Sequence, residues 1–487
     1  MLLRLVAVIA LLPALAAAQT RAREPLTLQD AISMAQQQGP LAQVARSTRD
    51  AARYRDNAFN ARLRPQLFLT GQAARLNHGI YPVTLADGTQ RFVPQADNTS
   101  SFTLGFKQAI PVTGSTISVG SVVGRYDQFG SDNKYHTYSA SPVVVSLEQD
   151  LFKPRQLIWD ERVQTLSAHV AERGYLEARE DVAANTADAF FNLFAQQMTL
   201  ANAASNVAVN DTLYTLNKGR YEVGKIGEND LLKSELALLR ARAAVEDARL
   251  ARDRAEAALR RLIAYPDNRE FAIVTPSSIP IVDANPDTAV AQALRNSSTI
   301  EQNALDDVVS KRAIGQARSD NRFNATINAS VGFNQTSAQL GSAYQNPLGA
   351  QALTVGVNLP IAQWGAGAAD VEAARANDTR VASNNRIRRD ALAEDARFSA
   401  LQLQQAQRNV IISAKADTVA GKQFEVARNR YIIGKITNDA LYIAQGEKDA
   451  AVLANVQALR TYWTAYYHLR RVTLYDFAEK REMTQER

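Results

Sequence analysis

Arg220-Tyr-Glu-Val-Gly-Lys-Ile-Gly-Glu-Asn-Asp230 and Arg430-Tyr-Ile-Ile-Gly-Lys-Ile-Thr-Asn-Asp439 are two copies of one short stretch, each set between two helical runs. Gly224 and Gly434 are the residue type that lets a helix end in a left-handed turn, and Asn229 and Asn438 can accept the first free N–H of the next helix. Each copy reads as the tip of a helical hairpin. Capping asks for Gly and Asn but does not specify the Arg-Tyr or Lys-Ile pairs that both copies share. The tips are therefore candidate functional surfaces, and the chain a duplicated unit.

Outward from the first tip, the run from Pro154 to Lys218 has only Gly174 as an interruption, with Leu193, Leu200, Val207 and Tyr214 seven apart. Beyond the tip, Leu236, Ala243, Leu250 and Ala257 keep that spacing. Heptads predict a seam against a neighbouring helix under left-handed supercoiling. At about 1.5 Å per residue the longer run would span about 96 Å. Leu403, Val410 and Phe424 stand 210 positions after Leu193, Leu200 and Tyr214, so a second long helix is expected from about Gly367 to Asn429. Shorter helices, each about half that length, are expected over 28–62, 229–264, 287–321 and from the second tip to about 475. Two of them end to end match one long helix.

Between the helices the period changes to two. Phe323, Ala325, Ile327, Ala329, Val331 and Phe333 alternate with Asn324, Thr326, Asn328, Ser330, Gly332 and Asn334. Leu353, Val355, Val357 and Leu359 repeat the pattern. In the first half, similar strands are expected from Gln66, from Phe102 to Lys107, around Ile117 to Val123 and from Val143 to Leu147. Polar loops are expected over about 77–99 and 127–138. The offset between halves is 258 at strand entry (Pro65 to Phe323) but 210 at strand exit (Val145 to Val355) and at the tip (Tyr221 to Tyr431). The surplus suits one extra hairpin, which predicts four strands from the first half and two from the second.

Strands with one apolar face and one face of Asn, Thr, Ser and Gly suit a barrel with lipid outside and water inside. Such a barrel must close, and six strands are too few for a water channel, so several chains must share it. A soluble β-sandwich would also bury an apolar face, but helices of this length do not fit a compact domain.

Residues 1–18, with Arg4, an apolar run from Leu5 to Leu15 and Ala16 to Ala18, read as a signal peptide. There is no cysteine, which removes disulfides, thiolate chemistry and a lipid-anchoring thiol. The net charge of +6 is interleaved with acids and forms no stripe for nucleic acid. His78, His136, His169 and His468 show no metal-ligand spacing, and no Ser-His-Asp constellation stands out. Gly120 to Gly124 lies in a strand and Gly365-Ala-Gly367 reads as a strand-to-helix bend, so neither is a phosphate cradle. The chain is expected to be no enzyme and to need no cofactor.

Taken together, the signal peptide, the repeats, the two-faced strands and the Arg-Tyr-x-x-Gly tips resemble the outer-membrane efflux proteins, the TolC-like channels. The resemblance implies a mixed α and β homotrimer, with an outer-membrane β-barrel continued by a periplasmic α-helical coiled-coil barrel in a Gram-negative cell. It implies a passive exit duct of a tripartite efflux system. The tip would open when a periplasmic adaptor protein and an inner-membrane transporter dock. Six strands per copy would give eighteen, where the usual family plan has twelve. By position, Arg220, Tyr221, Gly224, Lys225, Arg430, Tyr431, Gly434 and Lys435 fall on the adaptor-docking tips. Asp230 stands where family members carry an acidic residue. Asp439 is one position early, with Ala440 in the usual place, and the two aspartates are candidates for a negative ring at the constriction. A type I protein-secretion channel shares all these features, whereas a coiled-coil outer-membrane tether would need only the heptads. The expected layout is repeat 1 over 19–265 (strands 66–149, tip 219–230), a linker over 266–286, repeat 2 over 287–476 (strands 323–359, tip 429–439) and a polar tail over 477–487, disordered from Glu479.

Overall fold

The computed structural model describes residues 24–84, 87–129, 134–276 and 279–483. The expected signal peptide lies outside them. The described chain opens with β1 (Glu24–Thr27), α1 (Leu28–Gln38) and α2 (Pro40–Arg62). Four strands follow: β2 (Gln66–Thr84), β3 (Gln90–Ile110), β4 (Ser115–Phe129) and β5 (Tyr135–Leu151). The long helix α3 (Gln156–Glu222) turns into α4 (Glu228–Leu262), and β6 (Phe271–Val274) leads to α5 (Pro286–Asn296) and α6 (Ser298–Asp320). Then come β7 (Asn324–Ser337), β8 (Leu348–Asn358), the second long helix α7 (Ala366–Ile432) and α8 (Asn438–Thr473). The short pair β9 (Tyr475–Asp476) and β10 (Arg481–Glu482) ends the described chain. Both α3 and α7 have 67 residues, which makes each about 100 Å long. Among the described residues, no helix is long and apolar enough to cross a membrane.

Several elements differ from expectation, each for a local reason. The 28–62 helix breaks at Gly39, where a Cβ would stand 2.4 Å from the Ala35 carbonyl oxygen and 2.7 Å from that of Leu262. The 287–321 helix breaks at Ser297, whose hydroxyl accepts the Thr299 N–H at 3.2 Å. The Glu177 carboxylate of α3 then takes the Ser298 N–H at 2.7 Å, tying the break to the long helix. The 266–286 stretch is more than a linker, since β6 pairs in parallel with β1. The described part of the 477–487 tail is folded: β10 pairs with β9, and Phe477 is buried.

The sheet runs β2-β3-β4-β5-β7-β8, antiparallel throughout. Much of the predicted 77–99 and 127–138 loops is strand, because β2 pairs with β3 as far as Thr84 opposite Gln90 and β4 pairs with β5 as far as Gln128 opposite Tyr135. Leu67, Leu104, Phe106, Val145, Leu147, Val331, Val355 and Val357 stand exposed on one face. The concave face is lined by Thr70, Thr116, Ser118, Ser146, Asn328, Ser330 and Thr354, with Phe68, Lys107 and Glu148.

The main core sits between sheet and tips. Phe190, Phe191 and Leu193 of α3, Leu403 of α7, and Tyr462 and Leu469 of α8 pack with Leu259, Ile263 and Ile32. Below it α4 packs on α3, α3 on α8 and α8 on α7, while above it the order is α2, α3, α6, α7. Every layer is therefore an open arc, with β2, α2 or α4 at one edge and β8 or α7 at the other.

The heptads divide between these surfaces. Leu193, Leu403 and Val410 are buried within the chain as predicted. The α4 heptad is not: Leu236, Ala243, Leu250 and Ala257 are exposed, and α4 buries Ser234, Leu238, Ala248, Ala255 and Leu259 instead. The apolar run faces away from the chain's own helices.

Candidate gate and docking tips

At both tips the backbone closes the helix in the same way. The Lys225 N–H donates to the Arg220 carbonyl at 2.8 Å and the Gly224 N–H to that of Tyr221 at 2.9 Å. Lys435 to Arg430 and Gly434 to Tyr431 repeat this at 2.9 Å each. This is the Schellman pattern, and it requires a left-handed residue, supplied by Gly224 at φ 71° and Gly434 at φ 73°. It uses only the main chain of Arg, Tyr and Lys, so their side chains remain free for contacts. Gly224→Ala or Gly434→Ala meets no neighbouring atom within 4 Å, so the cost is purely conformational, about 1–2 kcal/mol. The Lys225 or Lys435 amide is expected to exchange hydrogen about tenfold faster in the corresponding variant.

The next helix starts earlier than predicted. α8 is capped by Thr437, whose hydroxyl accepts the Ala440 N–H at 3.4 Å. α4 begins after Gly227 with no side-chain cap. Asn229 and Asn438 therefore lie inside the first turn and do not cap.

The two tips are not equivalent. Tyr431 is 2% exposed, in a small core with Leu213 of α3 and Leu441 of α8. Its hydroxyl donates to Asn217 Oδ1 at 3.2 Å, and the Arg220 guanidinium lies over its ring at 5.5 Å. The structure thus brings Arg220 of one tip onto Tyr431 of the other, a bond between the hairpins worth about 0.5–1 kcal/mol for the cation–π part where exposed. Tyr221 is 42% exposed, because α3 and α4 have no neighbour on that side. Lys225, Arg430 and Lys435 are solvent-exposed. Asp230 and Asp439 are exposed in the first turns of α4 and α8, where the helix dipole favours a carboxylate. Among the described residues neither forms an ion pair.

Above the tips lies a feature that heptad reading missed. A groove of about 480 Å³ between α3, α4 and α8 is lined by Asn202, Asn206, Asn210, Gln445 and Asp449. Asn206 Nδ2 donates to Asp449 Oδ2 at 2.7 Å, while Asn210 Oδ1, Gln445 Oε1 and the Tyr442 hydroxyl are shielded without a partner among the described residues. The α3–α8 seam is therefore apolar at the core and at the tip but amide-lined between. Asn at 202, 206 and 210, one helical turn apart, was the available signal.

Residues 31–264 match the family model for outer membrane efflux proteins. No curated protein matches the chain. Among solved structures, the Campylobacter jejuni CmeC outer membrane channel aligns over 94% of this chain and 87% of its own at TM-score 0.66 and 15% identity. A membrane protein from Pseudomonas aeruginosa aligns over 94% and 92% at TM-score 0.66 and 16% identity. The open state of the Neisseria gonorrhoeae MtrE outer membrane channel aligns over 94% and 91% at TM-score 0.61 and 16% identity. At such identities the likeness is one of fold.

Proposed function

Because residues 31–264 match the family model of outer membrane efflux proteins and the fold is that of such channels, we propose that three copies form a passive exit channel, gated at the tips by a periplasmic adaptor linked to an inner-membrane transporter. The open arcs carry this reading. Every layer ends in one edge from the first half and another from the second, so the same head-to-tail contact can close sheet and helices together. Edge strands β2 and β8 run antiparallel and would pair between copies, leaving no open edge in lipid.

The widths agree. Eighteen strands at about 4.8 Å spacing and a tilt of about 40° close at a diameter of about 36 Å. Twelve helices, four from each copy, spaced about 9.5 Å apart close at about the same diameter. The apolar sheet face would meet the outer membrane, and the helices would extend through the periplasm. The amide-lined part of the α3–α8 seam supports gating, because exchanging hydrogen bonds there resists sliding less than parting a dry core. Opening would release the Arg220–Tyr431 contact and swing the α7–α8 hairpin outward.

Purified trimers in planar bilayers should give steady, cation-preferring single-channel currents. Asp230→Asn together with Asp439→Asn should lower the cation-to-anion permeability ratio at least about twofold, since six carboxylates at a constriction set its field. Unchanged selectivity would remove the aspartates from the gate. No conductance at all from an intact trimer would end the channel reading.

A further inference from the structure

The apolar sheet face does not stop where the strands end on the helix side. Between β5 and α3, Phe152 is 72% exposed, and between β8 and α7, Trp364 is 97% exposed. Both hold left-handed backbones, at φ 68° and φ 49°. That conformation is unfavourable for bulky side chains, and such outliers cluster at functional positions. Phe323, just before β7, packs its ring on Phe152 with centroids 5.7 Å apart. Exposed Arg64, Arg155 and Arg322 leave the same strand ends, and among the described residues none forms an ion pair with a carboxylate. Exposed aromatics that share the helix-side strand ends with unpaired guanidiniums fit the boundary between acyl chains and phosphates.

We infer that this helix-side rim, formed by Phe152, Phe323 and Trp364 with Arg64, Arg155 and Arg322, binds the headgroups of anionic phospholipids and sets the depth of the channel in the membrane. The inference rests on the proposed barrel. The rings enter the acyl boundary, and the guanidiniums take phosphate oxygens in bidentate fashion. Phe152 and Phe323 lie between β5 and β7, with four strands on one side and two on the other, so neither sits at a sheet edge where a neighbouring copy would join.

Two single-tryptophan trimers test this in proteoliposomes. One keeps Trp364 with Trp159→Phe and Trp463→Phe; the other adds Phe152→Trp and Trp364→Phe. Both reporters should be quenched more by lipids brominated near the glycerol than by lipids brominated near the methyl end. At equal minor fraction, brominated phosphatidylglycerol should quench about fivefold more effectively than brominated phosphatidylcholine. Arg64→Glu, Arg155→Glu and Arg322→Glu together should abolish that preference while single-channel conductance persists. Quenching by aqueous acrylamide alone, or shielding from both quenchers by a neighbouring copy, would overturn the lipid site. Either result with conductance retained leaves the channel standing, whereas loss of conductance in the unaltered protein would strike the channel reading itself.

Discussion

With Leu236→Glu and Leu250→Glu, the purified chain is expected to migrate as a monomer in size exclusion and to give no channel currents, while its helical content is kept. Both side chains are exposed in the single chain, as are Leu232 and Leu239 beside them on α4. At the opposite edge α7 exposes Ile412, Val419, Val426 and, just past its end, Ile433, again seven apart. Two apolar heptads on the two free edges are what a left-handed seam between copies needs. Burying a leucine is worth about 1.5–3 kcal/mol, so losing two at each of three seams removes on the order of 10 kcal/mol per ring, before any cost of desolvating glutamates. Leu238→Ala gives the contrast. Leu238 is 5% exposed and faces its own helix partner, so this variant should melt earlier yet remain trimeric. A trimer that survived both glutamates would place the interface elsewhere.

The α4 heptad shows what was legible in the sequence and what was not. Spacing announced an apolar seam but not which helix would meet it, because α4 carries a second run of small and apolar residues, Ser234, Ala248 and Ala255, that suits close packing on α3. The strands illustrate a different limit. Its Gly, Pro, Asp and Asn content made the 77–99 stretch read as loop, and Pro82 and Pro94 are the strongest of those signals, since proline removes a ladder donor. Pro82 lies on edge strand β2, and Pro94 sits on β3 beyond Ala96, where pairing with β4 ends. Neither missing N–H faces a third strand, so pairing continues past both. The left-handed glycines of the tips were readable because only one residue type serves there. The burial of Tyr431 against an exposed Tyr221 was not, because it depends on which hairpin lies on α3. Nor did residue spacing reveal the charge cluster that locks the end of the chain.

Arg470→Met in that cluster is expected to destabilise the helical region by about 3–5 kcal/mol near neutral pH, as loss of one partner from a buried ionic group does. Arg470 Nε stands 2.9 Å from Glu180 Oε2 on α3, and its Nη1 lies 3.0 Å from Asp476 Oδ2 on β9. The first contact is ionic rather than a well-aligned hydrogen bond. The guanidinium also lies over Tyr466 and Tyr467, at 5.5 Å and 5.6 Å from their ring centroids. One cation thus holds α3, α8 and the β9–β10 turn together. Burial is the largest influence on Glu180 and pushes its carboxyl above the usual glutamate range, with Arg470 drawing it back. A carboxyl whose folded value exceeds its unfolded one contributes stability at low pH and loses it as pH rises through the folded value. Removing Arg470 takes away the cation that draws Glu180 back and raises its carboxyl further, so the deficit of the variant should be smallest near about pH 5 and grow towards about pH 7.5. Trp463 reports the change, because its ring stacks on Tyr467 at 6.1 Å within the same core. Urea unfolding followed by its fluorescence should show the midpoint gap between variant and parent narrowing on acidification. A gap independent of pH would mean that lost packing, and not the Glu180 carboxylate stranded without its cation, accounts for the damage.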